Sequence, residues 1–277
     1  MNIINFEMNL FIAVISIYFL SFIFYIVYLI FPRLLYKGKV ASSLLLIGVI
    51  LHTFLIIIRT IETKHPPFQT LYESLSWFSY SVVVAYLIVE WRRKVRLSGI
   101  IITAIAIAAS LYAVIGLSPE PKPLPPALQS KWFVWHVVVA FSSYAAFVVA
   151  FSVEIIFLLL GKRGERYGLD EKMKKLFHRM AYNLILFGFP LLTFGIISGA
   201  AWAQEAWGGY WVWDPKETWS LITWMVYVLY LHAKVTPRWV EKRASILNIL
   251  GFICMIFTFL GVNWLTRLLN IPSLHTY

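Results

Sequence analysis

The sequence predicts an all-α, polytopic membrane protein of about eight transmembrane helices, with both termini outside the cytoplasm and a tryptophan-rich outer loop between helices six and seven. Three observations predict it. Of the 277 residues, 60% are hydrophobic and only 13% charged, about half the roughly 25% charge of a soluble domain. Apolar runs of about 20 residues, enough helix to cross a hydrocarbon layer about 30 Å thick, recur between charge clusters. The segments that join these runs alternate sharply in basic content. The same composition excludes other classes. A net charge of +11 would suit a nucleic-acid surface, but in a membrane protein excess Lys and Arg collect in cytoplasmic loops, so no nucleic-acid partner is expected. Cys254 is the sole cysteine, which rules out an internal disulfide, a multi-thiolate zinc site and a C-x-x-C-H motif on this chain. No phosphate-binding glycine loop is visible, so ATP use is not expected.

The elements follow in order. The first run, Leu10–Phe31, is read as a helix because it exceeds the ~7–15-residue apolar stretch of a leader peptide and no basic residue precedes it. Ala41–Ile61 is the second, and near its outer end Arg59 and Glu62 have the i,i+3 spacing of a helix-surface ion pair. Ser74–Val89 and Leu97–Gly116 are the third and fourth. The stretch 117–131 carries Pro119, Pro121, Pro123, Pro125 and Pro126 and reads as an extended outer spacer, since proline removes helix donors and fixes φ. Trp132–Leu160 and Met180–Ala200 are the fifth and sixth, followed by the outer loop 201–217, then Thr218–Ala233 and Ala244–Leu265. The loops after the first, third, fifth and seventh runs hold 18 of the 24 Lys and Arg, and the positive-inside rule assigns them to the cytoplasm. The chain reads as a single membrane domain, 1–277, without internal repeat or separate soluble domain.

Six of the twelve tryptophans, Trp202, Trp207, Trp211, Trp213, Trp219 and Trp224, fall within one short stretch. An interfacial belt places one or two aromatic rings at each helix end and explains about two of them. Glycines between broad rings, as in Trp207-Gly208-Gly209-Tyr210-Trp211, suit a large flat aromatic ligand, with a porphyrin the foremost candidate. Asp214-Pro215-Lys216-Glu217 has the form of a capping box, with Asp214 at N-cap, Pro215 at N1 and Glu217 at N3 of the seventh helix.

The stretch Trp207–Trp224, WGGYWVWDPKETWSLITW, resembles the WWD signature of heme-handling membrane proteins, and its DPKETWSLITW form is most similar to the CcsA/ResC type of system II cytochrome c biogenesis. His65-Pro66-Pro67-Phe68 with Leu71-Tyr72-Glu73-Ser74, the segment around His136, Leu231-His232-Ala233, Gly261-Val262-Asn263 and Leu274-His275 carry the resemblance over about Leu51 to Tyr277. It implies heme b as cofactor, a CcsB/ResB-like membrane protein as partner, and apocytochrome c as substrate. It also implies a thiol-reducing membrane protein, because attachment needs reduced cysteines in an oxidising compartment. The setting implied is a bacterial cytoplasmic membrane or a thylakoid, with the active face outside the cytoplasm. No CcsB portion is fused to this chain, so a second polypeptide is expected to supply it.

Topology sorts the histidines by depth. His136, near the outer start of the fifth helix, and His275, in the outer tail, lie on the face of the tryptophan loop and would form a bis-His axial pair for heme iron. Trp202, Trp207, Trp211, Trp213, Asp214, Trp219 and Trp224 are the candidate ring-holding residues. His232 lies roughly 21 Å from the outer end of the seventh helix at 1.5 Å per residue, toward the cytoplasmic side. The resemblance makes it an axial ligand for heme within the membrane, opposite a ligand from CcsB. His52 ranks lower as a rival ligand, His65 is either a pocket or a turn residue, and His178 reads as solvated in the basic loop. Glu154 is open between a propionate contact and a helix contact. The alternatives in function are a CcmC/CcmF-like heme chaperone, a membrane cytochrome b-type electron-transfer subunit, and a transporter of another aromatic or anionic ligand.

Overall fold

The computed structural model describes residues 3–31, 35–93, 95–160, 171–236, 241–270 and 273–274. Among them the helices are α1 (Ile3–Ile30), α2 (Leu35–Thr63), α3 (Leu71–Arg93), α4 (Gly99–Gly116), α5 (Lys131–Leu160), α6 (Glu171–Trp207), α7 (Pro215–Val235), α8 (Glu241–Ile256) and α9 (Val262–Leu269). No strand occurs among the described residues, and the all-helical polytopic architecture is the one expected. Among the described residues seven helical stretches are long and apolar enough to cross a membrane. The seventh expected span, Thr218–Ala233, folds as α7, but its two tryptophans, two tyrosines, histidine and three charged residues dilute its aliphatic content, and it stands outside those seven.

Several helices run past their expected bounds, α1 from Ile3, α2 from Leu35 and α6 from Glu171. Helix α6 runs on past Ala200 to Trp207, because Ala201–Trp207 contains good helix formers and no breaker. It stops at Gly208, whose φ of 78° and N–H bond to the Gln204 carbonyl at 3.1 Å make a left-handed helix cap. The irregular part of the tryptophan segment is therefore 208–214, and Trp202 and Trp207 sit on a helix. The last span contains a π-helical turn, Phe257–Gly261, between α8 and α9. A Cβ at Gly261 would lie 2.4 Å from the Phe257 ring, so the turn needs glycine there.

The chain divides into two compact units, Met1–Leu124 with Ile155–Glu171, and Pro125–Glu154 with Lys172–Tyr277. In the first, polar side chains inside apolar helices are bonded to each other, as burial in a low-dielectric interior demands. Arg59 does not keep to its helix neighbour Glu62. It reaches Glu73 of α3 at 3.0 Å, Glu7 of α1 at 3.2 Å and the Pro119 carbonyl at 2.7 Å, because a buried guanidinium needs several acceptors. Glu73 also accepts from the Gln69 and Thr70 amides while Thr70 caps its own N–H, a capping box at the start of α3. At mid-helix His52 is fully buried between Tyr18 Oη at Nδ1 (3.1 Å) and Ser76 Oγ at Nε2 (2.9 Å). Near the basic end Glu90 takes hydrogen bonds from Tyr25 and Ser42 and pairs with Arg96.

In the second unit, α6 presents a stripe of glycines to α5. Gly188 faces Phe147, Gly195 faces Ala140 and Gly199 faces His136, which allows close helix approach. His178, expected in solvent, is instead 7% exposed on α6 and pairs with Glu154 of α5 at 3.1 Å; Ser245 of α8 also bonds Glu154. The helix starts before His178, so tertiary packing buries it.

Candidate functional site

His136 is fixed from three sides. Its Nδ1 lies 2.7 Å from the Gly195 carbonyl. A carbonyl only accepts, so Nδ1 donates, and in the neutral ring Nε2 carries the lone pair. Such a second bond that sets tautomer and ring angle is what orients a metal-binding imidazole. Gly199 makes room beside the ring, since a Cβ there would sit 2.7 Å from Nδ1. The Trp202 ring stacks on the imidazole at 6.1 Å and 22°.

Trp202 is itself held by its indole N–H to the Ala127 carbonyl at 2.7 Å, by Phe133 at 5.2 Å and by an edge contact with Trp207 at 5.0 Å. Ser130 bonds Glu205 and ties the end of the proline stretch to the end of α6. The structure thus brings His136, Trp202 and Trp207 into one cluster. Trp211 and Trp213 form a second, edge to face at 5.8 Å.

The loop between them is shaped by α7. The expected capping box is present: the Asp214 side chain accepts from the Lys216 N–H at 2.8 Å, and Glu217 accepts from the Asp214 N–H at 3.1 Å. Glu217 accepts also from Val212 N–H at 2.9 Å. The residue between these two amides, Trp213, has φ of 60° and a ring 67% exposed. A bulky residue in the left-handed region is a conformational outlier, of the kind that persists where surrounding bonds impose it. The other Asp214 oxygen accepts from the Leu274 N–H at 2.8 Å.

The remaining candidates are dispersed. Trp219 packs against Phe257 at 4.2 Å, and Trp224 donates to Thr193 Oγ1 at 2.9 Å and lies against Phe189, so both stitch α7 to its helical neighbours. His232 is exposed on α7, on one stripe with the exposed Met225 and Leu229. His275 lies outside the described residues. His65 is a turn residue whose Nδ1 bonds the Pro66 carbonyl at 3.0 Å, and both nitrogens of His52 are taken by hydroxyls.

Sequence reasoning missed Gly195 and Gly199, although their four-residue spacing between apolar residues is a readable helix-packing signal. Asn263, named above only for the resemblance, is 5% exposed, and its amide atoms find no hydrogen-bond partner among the described residues. The residues present fit a heme. His136 is an imidazole whose ring is oriented through Nδ1 and lies against an indole face. Among the described residues no three His, Cys, Asp or Glu side chains group to hold a bare metal ion.

Helices long enough to span a bilayer, with an imidazole and indole rings gathered at one helix end, define a polytopic membrane protein that carries an aromatic cluster. The family model described as cytochrome c assembly protein matches residues 68–270, and the chain belongs to that family, as the integral membrane protein its helices describe. Relatives named cytochrome c biogenesis protein CcsA share its sequence over most of their length. That of Guillardia theta is 33% identical over 100% of this chain and 97% of its own. That of Gloeobacter violaceus is 34% identical over 89% of this chain and 87% of its own. Among solved structures, cytochrome c heme lyase CcmF superimposes with a TM-score of 0.71 at 15% identity, covering 93% of this chain. The chain spans 46% of that protein's length, and the likeness is one of fold. Cytochrome c biogenesis is the process this chain serves.

Proposed function

We propose that the chain, with a CcsB-like membrane protein, carries heme b from the cytoplasmic side of the membrane to an outer bis-His site, and there supports its thioether attachment to the C-x-x-C-H motif of apocytochrome c. The observation that carries the proposal is the His136 Nδ1–H bond to Gly195 beneath the Trp202 ring, which leaves Nε2 as the lone-pair nitrogen. His275 is the proposed second ligand. Trp207, Trp211 and Trp213 supply ring surface and exclude water, while Asp214 and Glu217 hold the loop that bears them.

The exposure of His232 supports a partner's involvement. A polar imidazole on a helix face otherwise made of Met225 and Leu229 is costly against lipid unless another protein covers it. When bound, heme supplies iron for imidazole ligation and vinyl groups for the substrate's thiols. The single Cys254, within α8, leaves thiol reduction to another membrane protein. The basic loops orient the His136 end outward, away from the cytoplasm of a bacterium or the stroma that surrounds a thylakoid. A cytochrome b-type reading loses its in-membrane ligand pair, since His52 is engaged by Tyr18 and Ser76.

The test is the absorption spectrum of the complex purified with its CcsB-like partner, comparing wild type with His136→Gly, His275→Gly and His232→Gly, each with and without imidazole. Heme loss in each variant, with low-spin bands restored by imidazole, is the expected result. Equal heme in all four proteins would overturn the ligand assignment.

A further inference from the structure

We propose that the first compact unit binds one water molecule between α1, α2 and α3, and that this water joins Tyr72 and the Glu7–Arg59–Glu73 cluster to the buried His52 through Ser76. The site lies within that unit and makes no use of His136 or the tryptophan loop. Its place is a cavity of about 10 Å³ whose polar lining is Glu7 of α1, Arg59 of α2, and Tyr72, Glu73 and Ser76 of α3. A single bound water needs roughly 10–15 Å³, so the cavity takes nothing larger than a water or a monatomic ion. Helix register gathers the lining: Tyr72 and Ser76 stand one turn apart on α3, and Arg59 stands two turns from His52 on α2. The Phe11 ring of α1 packs against both His52, at 5.5 Å, and Tyr72, at 5.8 Å.

A count of donors shows what the cavity has to satisfy. Tyr18 Oη is fully buried, and its polar partner among the described residues is His52 Nδ1 at 3.1 Å. A buried phenol hydrogen needs an acceptor, so Tyr18 donates, Nδ1 carries the lone pair and Nε2 carries the ring hydrogen. Nε2–H then donates to Ser76 Oγ at 2.9 Å. The Ser76 hydroxyl hydrogen is left without an acceptor among the described residues, and Ser76 lines the cavity. Arg59 and Tyr72 are each 3% exposed and line it too, and Arg59 Nη2 and Tyr72 Oη have no partner among the described residues.

The chemistry of the wall selects the occupant. A monatomic anion would sit against the carboxylates of Glu7 and Glu73, and a cation would face the guanidinium and the hydroxyl hydrogens. Water is neutral and both donates and accepts, and buried waters make about three hydrogen bonds. Here it accepts from the hydroxyls of Tyr72 and Ser76, donates to a carboxylate, and sets its oxygen beside the guanidinium.

The test is thermal unfolding of the full chain purified with its CcsB-like partner, for Tyr72→Phe, Ser76→Ala and the double variant. Tyr72→Phe keeps the ring that Arg59 faces at 5.6 Å and removes the hydroxyl alone. If that hydroxyl bonds a held water, the midpoint should fall by about 2 °C or more, the shift for one hydrogen bond. A hydroxyl buried without any partner burdens the fold, so an unchanged or raised midpoint in Tyr72→Phe would overturn the proposal. The two hydroxyls do not bond each other, and their losses add unless they share a partner. The double variant should therefore lose at least about 1 °C less than the sum of the single losses; strict additivity would overturn the sharing. Exchanging sodium for potassium, or chloride for sulfate, at constant ionic strength should leave the wild-type midpoint in place, and a midpoint that follows one ion would make that ion the occupant. A high-resolution density map of the same complex should show one sphere within hydrogen-bond distance of Tyr72 Oη and Ser76 Oγ, and a map without it refutes the site even if a variant fails to fold.

Discussion

Replacing Gly199 by alanine puts a methyl group 2.7 Å from Nδ1 and 2.9 Å from Cε1 of His136. Ordinary heavy-atom contacts begin near 3.5 Å, so the imidazole has to retreat by about 0.7 Å. The edge that retreats is the one bonded to the Gly195 carbonyl at 2.7 Å, and a displacement of that size takes the bond past the usual ~3.2 Å limit. Overpacking of this kind costs about 1–3 kcal/mol, which corresponds to about 5- to 150-fold in occupancy by whatever the ring holds. The stripe contains its own control. A Cβ at Gly195 meets the Ala140 backbone at 3.7 Å, an ordinary contact, and Gly195→Ala keeps the carbonyl that His136 uses. The assay is heme content and visible spectrum of the complex with its CcsB-like partner, with and without imidazole. Gly199→Ala should lose low-spin heme and recover it with imidazole, while Gly195→Ala resembles wild type. A Gly199→Ala spectrum identical to wild type, or equal damage from both substitutions, would refute the argument that the ring is held by space and tautomer together.

Two other outcomes follow from strain and burial. Trp213→Gly should raise the thermal midpoint in detergent by about 2 °C or more, since it relieves a left-handed residue worth about 1–2 kcal/mol, yet lower heme content by removing an exposed ring; a fall in midpoint would mean that the indole packs rather than projects. Arg59→Lys should destabilise the protein by about 3 kcal/mol, because one ammonium cannot replace a fork shared by Glu7, Glu73 and the Pro119 carbonyl; a midpoint within a degree of wild type would argue that water already solvates the cluster.

Local signals were the legible ones. Asp214-Pro215-Lys216-Glu217 announced a helix start because cap, proline and glutamate are all read within one turn, and the structure holds that box. Helix identity followed from apolar length in the same way. The end of α6 was also written locally, in Gly208, but the aromatic richness of 201–207 suggested loop chemistry where helix formers continued. What the sequence could not reveal was pairing at a distance. Arg59 sits three residues from Glu62, yet its partners are 52 residues before and 14 residues after it. His178 lies among lysines and arginines, and only the packing of α5, α6 and α8 around Glu154 explains its burial. The second bond of Asp214 was hidden for the same reason: a cap is a four-residue pattern, while a tie to Leu274 exists only in three dimensions.

The π turn at Phe257–Gly261 sets the phase of everything after it. A π turn holds one residue more than an α turn, and each residue advances a helix by about 100°. Asn263 and Thr266 face inward while Trp264 and Leu268 lie 63% and 61% exposed, an arrangement that depends on this added step. Deleting one residue from 257–261 would restore an unbroken ladder and swing α9 by about 100°, like a gear meshed one tooth over. The face that α9 turns inward is thus counted out along the helix, in whole residues, before its first turn begins.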